Sequence, residues 1–208
     1  MNKLFCSALL TFVAISSYSQ VTFSPAVRAG VNFSNLTELE SSYKTGFYAG
    51  VAGGINLTKR YTLQPEITFS QQGASDVPLE YYDYNTGEQI SQRTDIVQSY
   101  LSLAVMNKFN IVDGFNIAVG PFLDFIMDDN VTSRESDADL GIQFGFGYQT
   151  ASGFAFEARL KKGVADVVNN EYYQGGDGFF FGDYNTNLVF QVGAAYYFDF
   201  KKTEPNAE

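Results

Sequence analysis

Apolar and polar residues alternate with a period of two along eight stretches of this chain. Within residues 61–70, for example, the apolar Leu63 and Ile67 have the polar Gln64 and Thr68 as neighbours. Successive side chains of a β-strand point to opposite faces, so each stretch is predicted to be a strand. The predicted strands cover residues 22–34, 46–58, 61–71, 97–110, 114–126, 140–150, 153–165 and 187–200. No comparable stretch shows helical spacing, and the chain is therefore predicted to be all-β.

The connections between these strands alternate strictly between short and long. The segments TKR, IVDG and ASG form tight turns after the second, fourth and sixth strands. The other connections have roughly 11, 25, 13 and 20 residues, which is long for an antiparallel sheet. An up-and-down meander places all tight turns at one end and all long connections at the other. This pattern predicts an eight-stranded antiparallel up-and-down transmembrane β-barrel with tight periplasmic turns and long external loops.

The composition of the polar face shows which side of the sheet meets which surroundings. In the predicted strand 140–150, bulky apolar residues alternate with Gly141, Gln143, Gly145 and Gly147. A sheet surface in water would carry Lys, Glu and Thr, whereas the narrow lumen of an eight-stranded barrel accepts small residues. The apolar face is bulky in all strands. We therefore predict that the apolar face contacts lipid and that the polar face is enclosed.

The first residues have the features of an export signal. Lys3 precedes an apolar run, and small residues stand at the positions before a cleavage site ahead of Gln20. The predicted domains are a signal peptide at 1–19, an outer-membrane β-barrel at 20–200 and a short polar periplasmic tail at 201–208. The predicted localisation is the cell outer membrane.

The composition of the predicted mature chain excludes several kinds of chemistry. It has no Cys and no His, which excludes disulfides, Cys/His zinc sites and His-based triads. Loss of Lys3 changes the formal net charge from −10 to −11, and this acidity argues against nucleic acid as a partner. No apolar run after the signal reaches the roughly 18 residues of a transmembrane helix. No cofactor is predicted.

Seven charged residues fall on the predicted inner face. They are Arg28, Glu66, Lys108, Asp124, Glu157, Arg159 and Lys161. Enclosed charges are costly unless they are paired, so an ion-pair network in the lumen is predicted. Glu66 is expected to pair with one of four bases: Lys108 from the adjoining strand, or Arg28, Arg159 or Lys161 from across the lumen. A ligand or proton site in the lumen is the alternative.

Two prolines, Pro65 and Pro121, fall on the predicted outer face of strands. A closed barrel has no free edge, so each proline leaves a neighbouring carbonyl without its donor. A local β-bulge is expected at each proline.

The long connections are acidic and partly aromatic. They hold 16 of the 23 acidic residues, and two of them contain YYDYN at 81–85 and EYYQGGDGFFFGDY at 171–184. Such a rim would bind divalent cations loosely together with outer-membrane lipid headgroups, or it would bind a partner. Asp183, Asn185 and Asn187 have the spacing of the first ligands of an EF-hand loop. Because Leu188 and Ala194 replace the required Gly and Glu of that loop, no metal site is predicted beyond this candidate set.

Motifs in all eight strands carry a family resemblance. They are RAGVNFSNL, GFYAGVAGGINL, LQPEITFSQQGA, YLSLAVMNKFNI, VGPFLDFIM, DADLGIQFGFGY, FEARLKKGVADV and FQVGAAYYFDF. These segments resemble the PorT-like outer-membrane β-barrel family of Bacteroidota, and LQPEITFSQQGA is the most specific. The chain departs from the family pattern at Ala104, where a proline is usual, and at Asn107. The resemblance implies an eight-stranded outer-membrane barrel, and its namesake is tied to protein secretion.

Three functions remain open from the sequence. The first is a non-enzymatic barrel whose external loops bind a surface partner or shape the cell surface. The second is an accessory or assembly factor for protein secretion that works with a periplasmic protein partner. An enzyme is the third, and we predict against it because no acid–base or nucleophile pair stands at a diagnostic spacing.

Overall fold

A computed structural model describes residues 21–36, 41–83, 87–130, 136–164 and 186–198 of this protein. The predicted signal peptide and tail lie outside these residues. The described residues form eight strands: β1 (Thr22–Leu36), β2 (Ser42–Asn56), β3 (Tyr61–Asp83), β4 (Glu88–Val112), β5 (Phe115–Asp129), β6 (Ala138–Gln149), β7 (Phe154–Gly163) and β8 (Asn187–Tyr197). No helix in these ranges has the length and apolar character needed to span a membrane.

The strands close into a barrel in chain order. Each strand pairs with the next in antiparallel orientation, and β1 pairs with β8 from Ala26↔Tyr197 to Leu36↔Asn187. The predicted eight-stranded up-and-down barrel is confirmed. The turns after β2, β4 and β6 lie at one end of the barrel, here named the tight-turn end. The connections after β1, β3, β5 and β7 lie at the opposite end, named the long-connection end.

The two faces of the barrel wall have opposite polarity. On β4, outward Leu103 and Val105 are 39% and 41% exposed, whereas inward Ala104 and Met106 are 8% and 0% exposed. The same alternation runs through the other strands, where polar residues are buried and large apolar residues are exposed. This arrangement inverts that of a soluble sheet and suits a wall that contacts lipid.

Aromatic side chains border the apolar wall at both ends. Near the tight-turn end the ring pairs are Tyr61–Phe109, Phe115–Tyr148 and Phe154–Tyr196, with centroids 5.3, 4.8 and 4.9 Å apart. Farther along the strands, Phe33 pairs with Phe190 and Phe47 with Phe69. Two such aromatic girdles mark the interfaces of a membrane-spanning barrel.

The ends predicted for the third and fourth strands are wrong. The structure extends β3 to Asp83 and β4 back to Glu88, and the two strands pair down to Asp83↔Glu88. One irregularity, between Ala74 and Val77, interrupts the ladder, and Asp76 there has φ +59°. Beyond the membrane, a two-stranded ribbon can be polar on both faces. Its sequence then lacks the alternation of apolar and polar residues from which strands are predicted. This pair of extended segments, residues 72–95, is named the β3–β4 hairpin.

The β-bulges predicted at Pro65 and Pro121 are also wrong. The β2–β3 register is the same at Ala52↔Glu66 and at Ile55↔Leu63, on either side of Pro65. Pro121 stands opposite Ile142 in an unshifted β5–β6 ladder. Each proline therefore removes a donor without shifting the register.

Asn107 provides a local polar contact on the outer wall near Pro121. It stands opposite Val119, and its Nδ2 donates to the Val119 carbonyl oxygen at 3.2 Å. Its Oδ1 accepts from the Tyr61 hydroxyl at 2.7 Å. These two bonds satisfy an amide that would otherwise meet lipid, where an unpaired polar group is costly.

Candidate functional site

The structure places all seven predicted lumen charges on the inner face of the barrel, each at most 7% exposed. They form two groups. Arg28, Glu66, Lys108, Glu157 and Arg159 form the central cluster, and Asp124 with Lys161 forms the outer pair.

Glu66 has the most contacts in the central cluster. Arg159 binds it with both terminal nitrogens, Nη1 to Oε2 at 2.8 Å and Nη2 to Oε1 at 2.9 Å. Arg28 Nη1 also donates to Oε2, and Gln64 Nε2 donates to Oε1 at 2.6 Å. Two guanidinium groups and an amide therefore surround one buried carboxylate, and such charge-assisted bonds are the strong ones.

Glu157 is the second acid of the central cluster. Its Oε2 accepts from Arg159 Nη2 at 2.8 Å and lies 3.3 Å from Arg28 Nη2. Its Oε1 lies 3.8 Å from Lys108 Nζ. Arg159 bridges the two acids and thus connects β3 to β7 across the lumen.

Of the four bases predicted as partners of Glu66, Arg28 and Arg159 bind it, whereas Lys108 and Lys161 pair with other acids. In the β3–β4 ladder Glu66 stands opposite Ala104, whereas Lys108 stands opposite Thr62, nearer the tight-turn end. Lys108 Nζ instead donates to the Tyr197 hydroxyl at 2.7 Å, and that hydroxyl donates to Gln64 Oε1 at 2.8 Å. The strand register therefore selects Arg28 and Arg159 as the partners of Glu66.

The outer pair lies nearer the long-connection end. Lys161 Nζ binds both carboxylate oxygens of Asp124, at 2.8 and 2.6 Å, and donates to Ser102 Oγ at 3.1 Å. Gln72 Nε2 donates to Asp124 Oδ2 at 3.2 Å, and Lys161 Nζ lies 4.1 Å from the centre of the Phe122 ring. This pair connects β5 to β7.

Asp139 is a buried lumen charge that lies one residue before the predicted strand 140–150. It is 0% exposed, stands opposite Asp124 in the β5–β6 ladder, and accepts from the Val164 backbone N–H at 3.2 Å. Starting the predicted strand one residue earlier, so that the period of two continues from Gly141 to Asp139, would have identified it. With Asp139, the buried charges of the described residues are four acids and four bases.

Buried side chains also fill the ends of the lumen. Ala26, Ala52, Ala155, Ala195 and Tyr197 form an apolar cluster toward the tight-turn end. Toward the other end, the buried apolar residues include Leu36, Val77, Ile96 and Tyr100, each at most 1% exposed. The interior is therefore packed along its length, as expected for eight strands.

Of the candidate metal set, Asp183 and Asn185 lie outside the described residues. Asn187 is buried at the start of β8, and its Nδ2 donates to the Tyr100 hydroxyl at 2.8 Å. Within the described ranges, no group of three or more Cys, His, Asp and Glu residues has metal-binding geometry.

Ion pairs anchor the base of the β3–β4 hairpin. Lys44 Nζ binds Asp95 at 3.0 Å, and Arg93 binds Asp76 at 2.8 Å. The Asp76 backbone N–H donates to Asp95 Oδ1 at 3.1 Å. The hydrogen bond from Lys44 lowers the pKa of Asp95, and the bond from Asp76 acts in the same direction. These contacts hold a projecting two-stranded ribbon in one orientation on the barrel.

A polar cavity of about 800 Å³ opens at the tight-turn end. It is lined by residues of all three tight turns and the adjoining strand ends, among them Lys59, Arg60, Asp113, Gln149 and Thr150. Two basic residues and several amide or hydroxyl groups give this cavity a hydrogen-bonding surface.

Solved structures share this architecture. The surface protein NspA of Neisseria is 12% identical and has a TM-score of 0.51, with 85% of this chain and 97% of NspA covered. OprG of Pseudomonas aeruginosa is 11% identical (TM-score 0.47; 86% and 98% covered), and Ail of Yersinia pestis, in complex with sucrose octasulfate, is 10% identical (TM-score 0.46; 85% and 99% covered). At these identities the likeness to NspA shows the fold alone. A comparison with curated protein sequences gives no match.

The family assignment comes from the sequence itself. The sequence profile described as the outer membrane protein beta-barrel domain matches residues 18–169, well over half of the chain. The observed closed barrel, with its apolar outer wall, agrees with this description. The chain therefore belongs to the outer membrane protein beta-barrel domain family, whose members reside in the outer membrane.

Proposed function

We propose that this protein is a non-enzymatic outer-membrane barrel that acts through the surfaces at its two ends and not through its lumen. The observation that carries this proposal is the packed interior, in which four acids and four bases are buried. The lumen carboxylates contact Arg or Lys side chains or a backbone N–H, so they are engaged in holding strands together. No cofactor or nucleic acid enters this function.

The leading function is binding at the cell surface through the long-connection end. The β3–β4 hairpin projects there, and ion pairs at its base hold it in place. Acidic residues concentrate in the same connections, which suits a partner of positive charge and loosely bound divalent cations beside the lipid headgroups. The protein partner is therefore proposed to be external.

An accessory role in protein secretion is the second candidate. The cavity between the tight turns, with Lys59 and Arg60, favours it because a periplasmic protein could dock there. The resemblance to the PorT-like proteins of Bacteroidota supports the same function.

Photo-crosslinking in intact cells would separate these two functions. A benzophenone amino acid at Gln92, on the exposed hairpin, is expected to capture a protein partner, whereas the same group at Arg60 captures one only if the secretion role holds. Ile142, 54% exposed on the apolar wall, is the matched control and should give no protein adduct. Adducts from Arg60 without adducts from Gln92 would replace the leading function with the second one.

Conductance measurements test whether the packed lumen is closed to ions. The protein reconstituted in a planar bilayer is expected to add no stable conductance steps, because ion pairs and apolar side chains fill an eight-stranded barrel. A general porin reconstituted in the same way is the positive control. Stable open steps in the parent protein would contradict the proposal that the lumen is only structural.

A further inference from the structure

The β3–β4 hairpin extends beyond the neighbouring strands. The β2–β3 ladder ends at Ser42↔Ser75, and the β4–β5 ladder ends at Gln98↔Asp129. Past these points, residues 77–83 and 88–94 pair only with each other among the described ranges. The hairpin therefore presents two strand edges beyond the barrel wall.

Backbone direction identifies the groups on the β4 edge. The Val97 N–H donates to Asn130 Oδ1 at 2.8 Å, and the Asn130 side chain donates to the Asp95 carbonyl oxygen at 2.8 Å. Odd-numbered residues of β4 thus point their backbone groups away from β3. Because direction alternates along a strand, Gln89, Ser91 and Arg93 present N–H and C=O groups to the same edge.

The β3 edge differs because of one proline. Pro78 stands opposite Arg93, whose backbone groups point outward, so the backbone of Pro78 points to the opposite edge. Pro78 has no N–H there, and Asp76 beside it has φ +59° at the irregularity. Proline and irregular backbone block strand addition. Among the described residues, the β4 edge with Gln89, Ser91 and Arg93 is the open one.

We propose that this open edge of β4 binds an extended, basic polypeptide segment as an added strand. This inference rests on the proposed surface-binding function and specifies its element and partner class. Backbone bonds to an exposed edge give affinity without a fixed sequence. Three outward-facing residues would pair with a segment of about six residues.

The net charge of the hairpin determines which charge its partner should carry. Residues 72–95 contain five acids, Asp76, Glu80, Asp83, Glu88 and Asp95, and one base, Arg93. That base is already paired with Asp76. A second copy of the chain would bring two acidic hairpins together, which electrostatic repulsion disfavours. A basic segment is the complementary partner.

The base of the hairpin is ordered before any partner binds. Val77 and Ile96 are 0% and 1% exposed, and Lys44 fixes Asp95 from β2. An edge held in its binding conformation loses little conformational freedom on association. The structure thus supports binding to a preformed edge.

Proline substitutions on the two edges give a matched test. Ser91→Pro removes an outward N–H from the open β4 edge, with Ser91→Ala as its side-chain control. Glu80→Pro makes the same change on the β3 edge, with Glu80→Gln as its control. The probe is a peptide of about nine residues in which Lys and Thr alternate. A Lys–Thr peptide with every backbone nitrogen methylated has the same charge but no N–H donors on either edge, and a Glu–Thr peptide has the opposite charge.

Binding is measured to the full protein in lipid nanodiscs, after each variant is shown to migrate as a folded barrel. Ser91→Pro is expected to lower the affinity for the Lys–Thr peptide about ten-fold relative to Ser91→Ala. The lost N–H donor leaves a carbonyl of the peptide unpaired. The affinities of Glu80→Pro and Glu80→Gln for the Lys–Thr peptide should agree within about two-fold. The other two peptides should bind the parent protein weakly.

The inference would be overturned if the Lys–Thr peptide did not bind, if both edges showed equal losses, or if the N-methylated peptide bound equally well. The proposed function would still stand if crosslinks from Gln92 capture a partner whose binding Ser91→Pro leaves unchanged. Absence of those crosslinks would instead contradict the proposed function itself.

Discussion

Replacing Glu66 with Gln is expected to lower the free energy of unfolding in detergent by about 3–5 kcal/mol, the cost of breaking a buried ion pair. Glu66 is 4% exposed and accepts bonds from Arg28, Arg159 and Gln64. The variant leaves three bases of the central cluster with Glu157 as their acid. Urea or thermal unfolding, followed by heat-dependent migration on a gel, measures the loss.

A double-mutant cycle tests which base is the partner. Glu66→Gln combined with Arg159→Met should be less destabilised than the sum of the two single variants, because one acid and one base leave the cluster together. Glu66→Gln combined with Lys161→Met is the control. Lys161 binds Asp124, so this second pair should be additive within about 0.5 kcal/mol. Additivity in the Arg159 cycle would show that the bidentate contact contributes nothing to stability.

The sequence predicted which residues face the lumen because side-chain direction depends only on the period of two. It could not predict which of them touch. Partners across a barrel depend on the register of every ladder, and that register places Lys108 opposite Thr62. Arg28 and Arg159 reach Glu66 from β1 and β7, which are far from β3 in the chain.

Strand ends were the least predictable feature of the fold. The predicted strands stopped where apolar alternation stopped, at residues 71 and 97, because lipid selects apolar side chains only within the bilayer. Backbone hydrogen bonds continue past that limit, and the ribbon reaches Asp83 and Glu88. For the same reason the predicted sixth strand began at residue 140, one residue after the lumen residue Asp139.

The prolines show that a chemical rule can be right while its expected consequence is wrong. Pro65 and Pro121 do lack a donor, yet both ladders keep their register past them. The irregularities of the described ladders lie elsewhere: between Tyr43 and Tyr48, Ala74 and Val77, Ser99 and Tyr100, and Asn110 and Val112. A missing donor is therefore accommodated locally, whereas a bulge changes the twist of a strand where the barrel continues into the hairpin.

Replacing Val105 with Arg is expected to destabilise insertion by about 2–4 kcal/mol, the cost of a cation on the lipid face near the bilayer midplane. Val105 points outward, is 41% exposed, and pairs with Pro65 midway between Tyr61 and Phe69 of the two girdles.

Val112→Arg is the matched control on the same strand. Val112 is 62% exposed at the end of β4, beside the tight turn, where the cost should fall to about 0–1 kcal/mol. Reversible folding into liposomes measures both variants against the parent, and Val105→Ala separates the added charge from the lost side chain. Equal stability of Val105→Arg and Val112→Arg would mean that the apolar face does not meet lipid. A depth-dependent loss, in contrast, requires that the exposed apolar wall and the bilayer core coincide.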